Sequence, residues 1–369
     1  MTNELLYTIA FTLLQGFNDT QRKQILLAYG SATELFNERK KGQDAFSSFN
    51  LLHKNILMGA WPLAEAEAEL VFMDKHDIRG FSVIDPKYPD RLVHIDDAPT
   101  LLFTKGDTHF NLPQLISIVG SRQHTIQVNR VLQELLEGLA HLKIGVISGM
   151  ALGVDGIAHQ NSVLQKIPTW GVLAHGLDQI YPSQHRRLAI QMLDQGGLIT
   201  EFRKNTTPLP FCFPKRNRIV AGMSDITLVV ETDLKGGSMI TANLASGYQR
   251  EVFAVPGKIH DAKSSGCMHL IKINKANTYH DPIHFLEMMN WPLPSPPQTN
   301  LNPESTQKQL ILDPLEQSIL SIIQEQGPIH RDQVCMALKV HSSEISGHLL
   351  QLELDGYIHL QAGNTYITL

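Results

Sequence analysis

A chain of 369 residues, 43% of them hydrophobic and 18% charged, is long enough to bury cores in two or three domains. Its formal net charge of -5 argues against coating nucleic acid through bulk basicity, so any anion site has to be local. No window approaches the roughly 18 consecutive apolar residues of a membrane-spanning helix. The opening MTNELLYTIAFTLLQGFNDTQRK has no basic leader or small-residue cleavage site, and Cys212, Cys267 and Cys335 form neither a CxxC pair nor a zinc-ligand pattern. The expectation is a cytoplasmic protein without membrane, disulfide or metal.

Residues 1–75 carry apolar residues at helical spacing in ELLYTIAFTLL, TQRKQILLAYG, ATELFNE and AEAEAELVFMDKH, punctuated by Gly and Asn. They predict a small helical domain. The stretch SVIDPKYPDRLVHIDDAPTLLFTKGD breaks that period with three prolines and reads as an extended lead-in ending in a strand at TLLFTKG. Short apolar runs then alternate with helical patterns: LISIV, IGVIS, TWGVL, GLIT, ITLVVE and EVFAVPG. Alternation of this kind predicts an α/β domain over 76–290, a doubly wound, mainly parallel sheet of Rossmann-like type with helices on both faces.

Residues 291–311 are rich in Pro, Ser, Asn and Gln and read as a linker. Residues 312–369 predict three helices, the third over about 342–354, and two strands, YIHLQ and TYITL, joined through Gly363 and Asn364. That order is a winged helix-turn-helix.

Three strand ends carry chemistry. In SIVGSRQHT the strand ends at Gly120, Ser121 and Arg122 before a helix. Small residues there let backbone N–H groups approach a phosphate, with the helix end and a guanidinium supplying positive potential. The plainer reading is a tight turn with a surface arginine, and the GxGxxG fingerprint is absent. In VISGMALGVDGIAHQ, Ser148 and Gly149 repeat the geometry, and Asp155 and His159 stand four apart on the next helix. They could form an acid–base couple, or a loop brace and an interior histidine. In FPKRNRIVAGMS, Lys215, Arg216, Asn217 and Arg218 are read at the head of a helix, where dipole and side chains favour an anion; a solvated basic turn is the alternative. Gly236, Gly237 and Ser238 follow the strand ITLVVE. In a parallel sheet these ends share one edge and could line one phosphate-binding groove, with Phe211, Phe213 and Tyr181 near enough in sequence either to stack bases or to pack in the core.

The segments VGSR, SGMALGVDGIAH, HGLDQIYPSQHRRL, GGLITEF, FPKRNRIVAGMS, GGSMITANLASGYQREVFAVPG and SSGCMHLIKINKAN, in this order, resemble the DNA-processing protein A family (DprA, also called Smf). The resemblance covers the central domain and extends back through YPDRLVHIDDAPTLLFTKGD. It implies a Rossmann-like domain that binds and protects single-stranded DNA and helps load RecA on it during natural transformation, as a homodimer without nucleotide cofactor or catalysis. It places the DNA pocket on Gly120, Ser121 and Arg122 and on Lys215, Arg216, Asn217 and Arg218. Two positions depart from the pattern: Leu152 stands where many members have Arg, and Gln249 where many have Gly. The first removes a possible phosphate contact and the second touches a helix end. The N-terminal helices resemble the family's helix-hairpin-helix or sterile-alpha-motif-like module, although LLQGFND has one Gly where a phosphate-binding hairpin has two.

The expected function is therefore sequence-independent binding of single strands. One rival is a Rossmann-like nucleotide phosphoribohydrolase, which needs a carboxylate beside its Gly-Gly turn; GGSMITANLA supplies none. The other is a winged-helix regulator. Its third helix presents Ser343, Glu344, His348, Gln351 and Glu353 without Arg or Lys, which disfavours reading a major groove and favours a protein contact.

Overall fold

The computed structural model describes residues 3–258, 261–294, 313–354, 357–361 and 364–368. They fall into two compact units, 1–294 and 295–369, taken separately below. Most of the expected linker, from residue 295 onward, and Gly363 of the expected turn lie outside the described residues.

The first unit begins with five helices: α1 (Asn3–Leu13), α2 (Asp19–Tyr29), α3 (Ala32–Glu38), α4 (Leu51–Met58) and α5 (Leu63–Lys75). Local chemistry fixes their ends. Asn18 and Gln21 form a reciprocal capping box on α2, and Gly30 closes it in the left-handed conformation. The Glu4 carboxylate accepts from the amides of Ala32 and Thr33 and from the Thr33 hydroxyl, which ties α1 to the start of α3. The lead-in adds β1 (Arg79–Ser82), α6 (Asp90–Val93) and β2 (Leu101–Gly106). Lys23 of α2 donates to the carbonyls of Val93 and Ile95 at 2.6 and 2.8 Å, pinning the helices to this segment.

The α/β part then runs β3 (Gln114–Val119), α7 (Gln127–Leu139), β4 (Ile144–Gly149), α8 (Val154–Leu164), β5 (Thr169–Val172), α9 (Arg186–Met192) and β6 (Gly197–Thr200). It continues with α10 (Cys212–Gly222), β7 (Ile226–Val229), α11 (Gly237–Gly247), β8 (Glu251–Ala254), α12 (Ser265–Lys272), β9 (Asn277–Thr278) and α13 (Pro282–Met288). The strands form one nine-stranded sheet in the order β1-β2-β6-β5-β4-β3-β7-β8-β9. Pairing is parallel from β6 through β9, and β2 is antiparallel to both its neighbours. This is the doubly wound, mainly parallel Rossmann-like sheet that the alternating pattern predicts.

Strand residues alternate between two cores. Ile116, Ile118, Val146, Leu228 and Phe253 pack with α7, α8 and α13, while Leu115, Val119, Ile147, Val229 and Ala254 pack with α10, α11 and α12. The chain winds outward in one direction from β3 to β6 and in the other from β7 to β9. The switch between β3 and β7 is where such sheets open a crevice at their carboxyl ends.

Gln249 sits just past α11 with φ of 59°, and the Arg250 amide closes the turn onto the Ala245 carbonyl at 2.9 Å. A left-handed conformation strains any residue with a Cβ. Replacing Gln249 with Gly is expected to raise stability by about 1 kcal/mol, seen as a melting temperature roughly 2 °C higher. An unchanged or lower melting point would refute the strain.

The second unit contains α14 (Pro314–Gln326), β10 (Ile329–His330), α15 (Arg331–Leu338), α16 (Ser342–Leu354), β11 (Ile358–Gln361) and β12 (Thr365–Thr368), with its sheet ordered β10-β12-β11. It is a winged helix around Ile319, Ile323, Val334, Ile345, Leu349 and Leu352. Two of the polar groups on α16 serve this packing: His348 bonds Glu316 at 3.1 Å, and Glu353 accepts from the Leu360 amide at 3.0 Å.

Candidate nucleic-acid interface

At the switch point a groove of about 660 Å³ opens on the face covered by α10 and α11. Its floor is the turn after β3. Gly120 is required there by packing, because a Cβ would press to 2.5 Å on Val154 and 3.0 Å on the Glu231 carbonyl. Gly153, at φ of 83°, brings α8 against the carbonyl of Ser121, and the Val154 amide donates to that carbonyl at 3.1 Å. These contacts hold Ser121 and Arg122 at the groove while leaving the Arg122 side chain exposed.

Two cationic side chains line the groove. Arg122 lies over the Phe213 ring at 5.4 Å and has no ion pair among the described residues. Arg216 is 6% exposed; it donates to the Val172 carbonyl at 2.6 Å and to the Asn217 side chain at 3.1 Å. Burial holds the Arg216 guanidinium below its ordinary range, with Asp155 opposing that and the like charge of Arg122 adding to it. Burial also raises the Asp155 carboxyl, against the pull of Arg216. An anion placed between the two guanidiniums would relieve their repulsion.

The opposite wall is the start of α11. Gly236 is its N-cap and offers no side-chain acceptor, and a Cβ on Gly237 would meet nothing within 4 Å. The first-turn amides and the positive helix end therefore open onto the groove. Ser238 donates to Thr232 at 2.7 Å, and Asn217 reaches the Gly237 carbonyl at 3.4 Å, joining α10 to this wall.

Of the twelve residues expected at the site, Gly120, Ser121, Arg122, Gly149, Arg216, Asn217, Gly236, Gly237 and Ser238 line this one groove. Three do not. Ser148 is the penultimate residue of β4, wholly buried, and donates across the sheet to the Ile118 carbonyl at 2.6 Å. Lys215 and Arg218 are turned away because α10 starts at Cys212, which puts the FPKRNR cations inside the helix instead of ahead of it. At helical spacing, Phe213, Arg216, Asn217 and Val220 share the groove face and Lys215 and Arg218 fall outside it.

Lys215 and Arg218 instead meet two carboxylates. Arg218 pairs with Glu201 at 2.5 Å and Asp19 at 3.1 Å and also donates to the Asp97 carbonyl; Lys215 pairs with the same acids at 3.3 and 3.5 Å. This network joins α2 to α10.

The proposed acid–base pair is also resolved into separate tasks. His159 is fully buried, with Nδ1 bonded to Thr169 at 2.7 Å and Nε2 to the Gly149 carbonyl at 3.0 Å, and burial lowers its pKa to about 3. The Asp155 carboxylate accepts from the Ala151 amide at 3.3 Å. His159 is an interior histidine and Asp155 a loop brace.

Sequence reasoning passed over Gln123, Thr232, Asp233 and Thr241, which also line the groove. Thr232 and Asp233 stand between β7 and the recognised Gly-Gly turn, so their place after the strand was the available signal. Among the aromatics, Phe213 lines the groove and meets Tyr181 edge-on at 6.3 Å, while Phe211 is 69% exposed. Leu152 lies 41% exposed beside Arg122 in an adjoining hollow of about 50 Å³. Among the described residues there is no group of three or more metal-ligating side chains and no helix long and apolar enough to cross a membrane.

The model of the family described as DNA recombination-mediator protein A matches residues 80–290, and that of the DprA winged helix domain matches 303–364. Protein Smf of Escherichia coli (strain K12) is 34% identical over 304 residues, 81% of this chain and 80% of that one. DNA processing protein DprA of Streptococcus pneumoniae is 37% identical over 192 residues, 52% of this chain and 68% of that one. The X-ray structure of the S. pneumoniae protein superposes with a TM-score of 0.60 at 30% identity, covering 78% of this chain and 98% of that one. A Helicobacter pylori DNA processing protein A, described for its single-stranded DNA binding mode, gives a TM-score of 0.53 at 28% identity, covering 58% and 95%.

Proposed function

This chain belongs to the DNA recombination-mediator protein A family, and from that premise we propose that it binds single-stranded DNA irrespective of sequence, protects it and passes it to RecA, acting as a homodimer in natural transformation. The observation that carries the reading is the groove at the β3–β7 switch point, where Arg122, Arg216 and the uncapped start of α11 converge. Such groups recognise phosphates, which position a strand without reading its bases. Phe213 adds an aromatic face beside Arg122 on which a base can stack. The single-stranded DNA binding mode described for the H. pylori relative supports the same reading.

The proposed role is non-catalytic. Asp155 and Asp233, the two carboxylates of the groove, and His159 behind it are committed to amides, a hydroxyl and a carbonyl of the protein itself. Release of a free base from a nucleoside monophosphate would overturn this part.

Fluorescence anisotropy of labelled oligo-dT against a matched duplex, across a salt series, tests the binding. The single strand is expected to bind more tightly, with log affinity falling linearly in log salt by about 0.7 per phosphate contact. Equal affinity for both forms, or a preference for one duplex sequence, would refute it.

A further inference from the structure

The groove that gathers the cations also holds a carboxylate among them: Asp155 lines it and is 7% exposed. The point where a Cβ on Gly149 would stand lies 2.2 Å from Arg216 Nη1 and 2.5 Å from Asp155 Oδ2, which puts guanidinium and carboxylate less than about 5 Å apart. No ion pair joins them among the described residues. Arg216 donates instead to the Val172 carbonyl and the Asn217 side chain, and Asp155 Oδ2 accepts from the Ala151 amide at 3.3 Å. A carboxylate so placed balances Arg216 in the free protein and repels a phosphate that approaches the same guanidinium. Ser148 also reaches the Asp155 carboxyl, but its hydroxyl hydrogen goes to the Ile118 carbonyl at 2.6 Å, and a carbonyl only accepts. Ser148 Oγ is therefore left as an acceptor, one that an ionised Asp155 cannot use and a protonated Asp155 can.

Burial raises the Asp155 carboxyl, and Arg216 is the foremost group holding it down, followed by the Ala151 amide, Ser148 and Arg122 of the β3 turn. His185 packs on Gly156, the next residue of α8, with Nδ1 on the Met150 carbonyl; His159 lies one turn on against the Gly149 carbonyl. Asp233 lines the groove from the β7 side, its Oδ1 accepting from the Lys235 amide. Resting on the single-strand reading above, we infer that the strand displaces Asp155 as the counter-charge of Arg216: a backbone phosphate takes over the guanidinium, the carboxylate takes one proton from solvent and donates it to Ser148 Oγ, and binding is thereby coupled to proton uptake. The coupling acts on a phosphate, so it is the same for every sequence. Because Asp155 holds its proton more tightly in the complex than in the free protein, affinity is highest at low pH and falls as pH rises from the free pKa to the bound one.

The test measures oligo-dT affinity by anisotropy across a pH series at fixed salt on wild type and Asp155→Asn, with melting curves to verify folding. The amide of Asp155→Asn keeps an acceptor for Ala151 and a donor for Ser148, as the protonated carboxyl does, and carries no charge. The variant is expected to match wild type within about twofold near pH 4.5 and to bind about tenfold more tightly near pH 8. Histidines around the groove remain in the variant, so any slope they add cancels in the ratio of the two. Calorimetry at the steepest point of the wild-type profile, in two buffers of different ionisation heat, should read about half a proton more taken up per occupied groove in wild type than in the variant. A ratio of one throughout, or a raised ratio that does not change with pH, would overturn the inference. So would weaker binding by a folded Asp155→Asn near pH 8, which would make the carboxylate a support for Arg216. Absence of proton uptake by wild type at every pH overturns it without recourse to the variant. Failure of the wild type to bind any strand at any pH would instead sink the single-strand reading beneath it.

Discussion

Replacing Arg122 with Ala is expected to weaken oligo-dT binding about 10- to 50-fold at 0.1 M salt, whereas Lys215→Ala should change it by less than about threefold. Both side chains are accessible cations within the motifs that carry the family resemblance, yet their surroundings differ. Arg122 has no carboxylate partner among the described residues and stands at the groove over Phe213, so a phosphate gains its full charge-assisted bond. Lys215 lies between Asp19 and Glu201 and outside the groove lining, so its charge is already compensated. The salt series separates them again. Loss of one phosphate contact should lower the slope of log affinity against log salt by about 0.7 in Arg122→Ala and leave it unchanged in Lys215→Ala. A stronger effect from Lys215 than from Arg122 would move the strand to the other side of α10 and refute the groove.

This contrast also marks where sequence reasoning stops. The strands from β3 to β8 were legible because each is a short apolar run bounded by turn residues, and α16 because its apolar positions keep a clean helical period. β1 and β9 were not, since RGFS and NT lack such a run and are strands only through their neighbours in the sheet. α4 also escaped, its LLHKNILM falling between segments with stronger punctuation. The important error was the start of α10. The basic residues were read at the head of the helix, but proline is tolerated in a first helical turn, and the helix begins at Cys212, ahead of Pro214. With that start, helical spacing alone divides FPKRNR into a groove face and a far face. Ser148 was misplaced by one residue of strand, enough to turn a side chain from the edge into the sheet. The acids that claim Lys215 and Arg218 come from Asp19 and Glu201, distant in sequence, and no local pattern announces them.

Arg218→Ala should therefore act on stability before it acts on binding, costing about 3–5 kcal/mol near neutral pH and lowering the melting temperature by roughly 5–15 °C. The guanidinium is 5% exposed, and its removal leaves Glu201, 6% exposed, with the half-exposed Lys215 as its remaining ion-pair partner among the described residues and Asp19 to oppose it. Burial already raises the Glu201 carboxyl, and Arg218 is the largest influence holding it down. Without Arg218 it rises further. A carboxyl raised in the folded state favours folding fully below its unfolded pKa, near 4.5, and loses that contribution as pH rises through the folded value. In the variant that loss is larger and extends over a wider window above 4.5, so the gap between wild type and Arg218→Ala should be small at pH 4.5 and greatest at pH 8. Adding Glu201→Gln to Arg218→Ala should recover much of the loss at pH 8 and little at pH 4.5. Melting curves at the two pH values decide it: an equal deficit at both would mean that lost packing, not the stranded carboxylate, sets the cost. Because Phe213, Arg216 and Asn217 ride on the helix that Arg218 anchors, single-strand affinity should fall in Arg218→Ala only as its folded population falls.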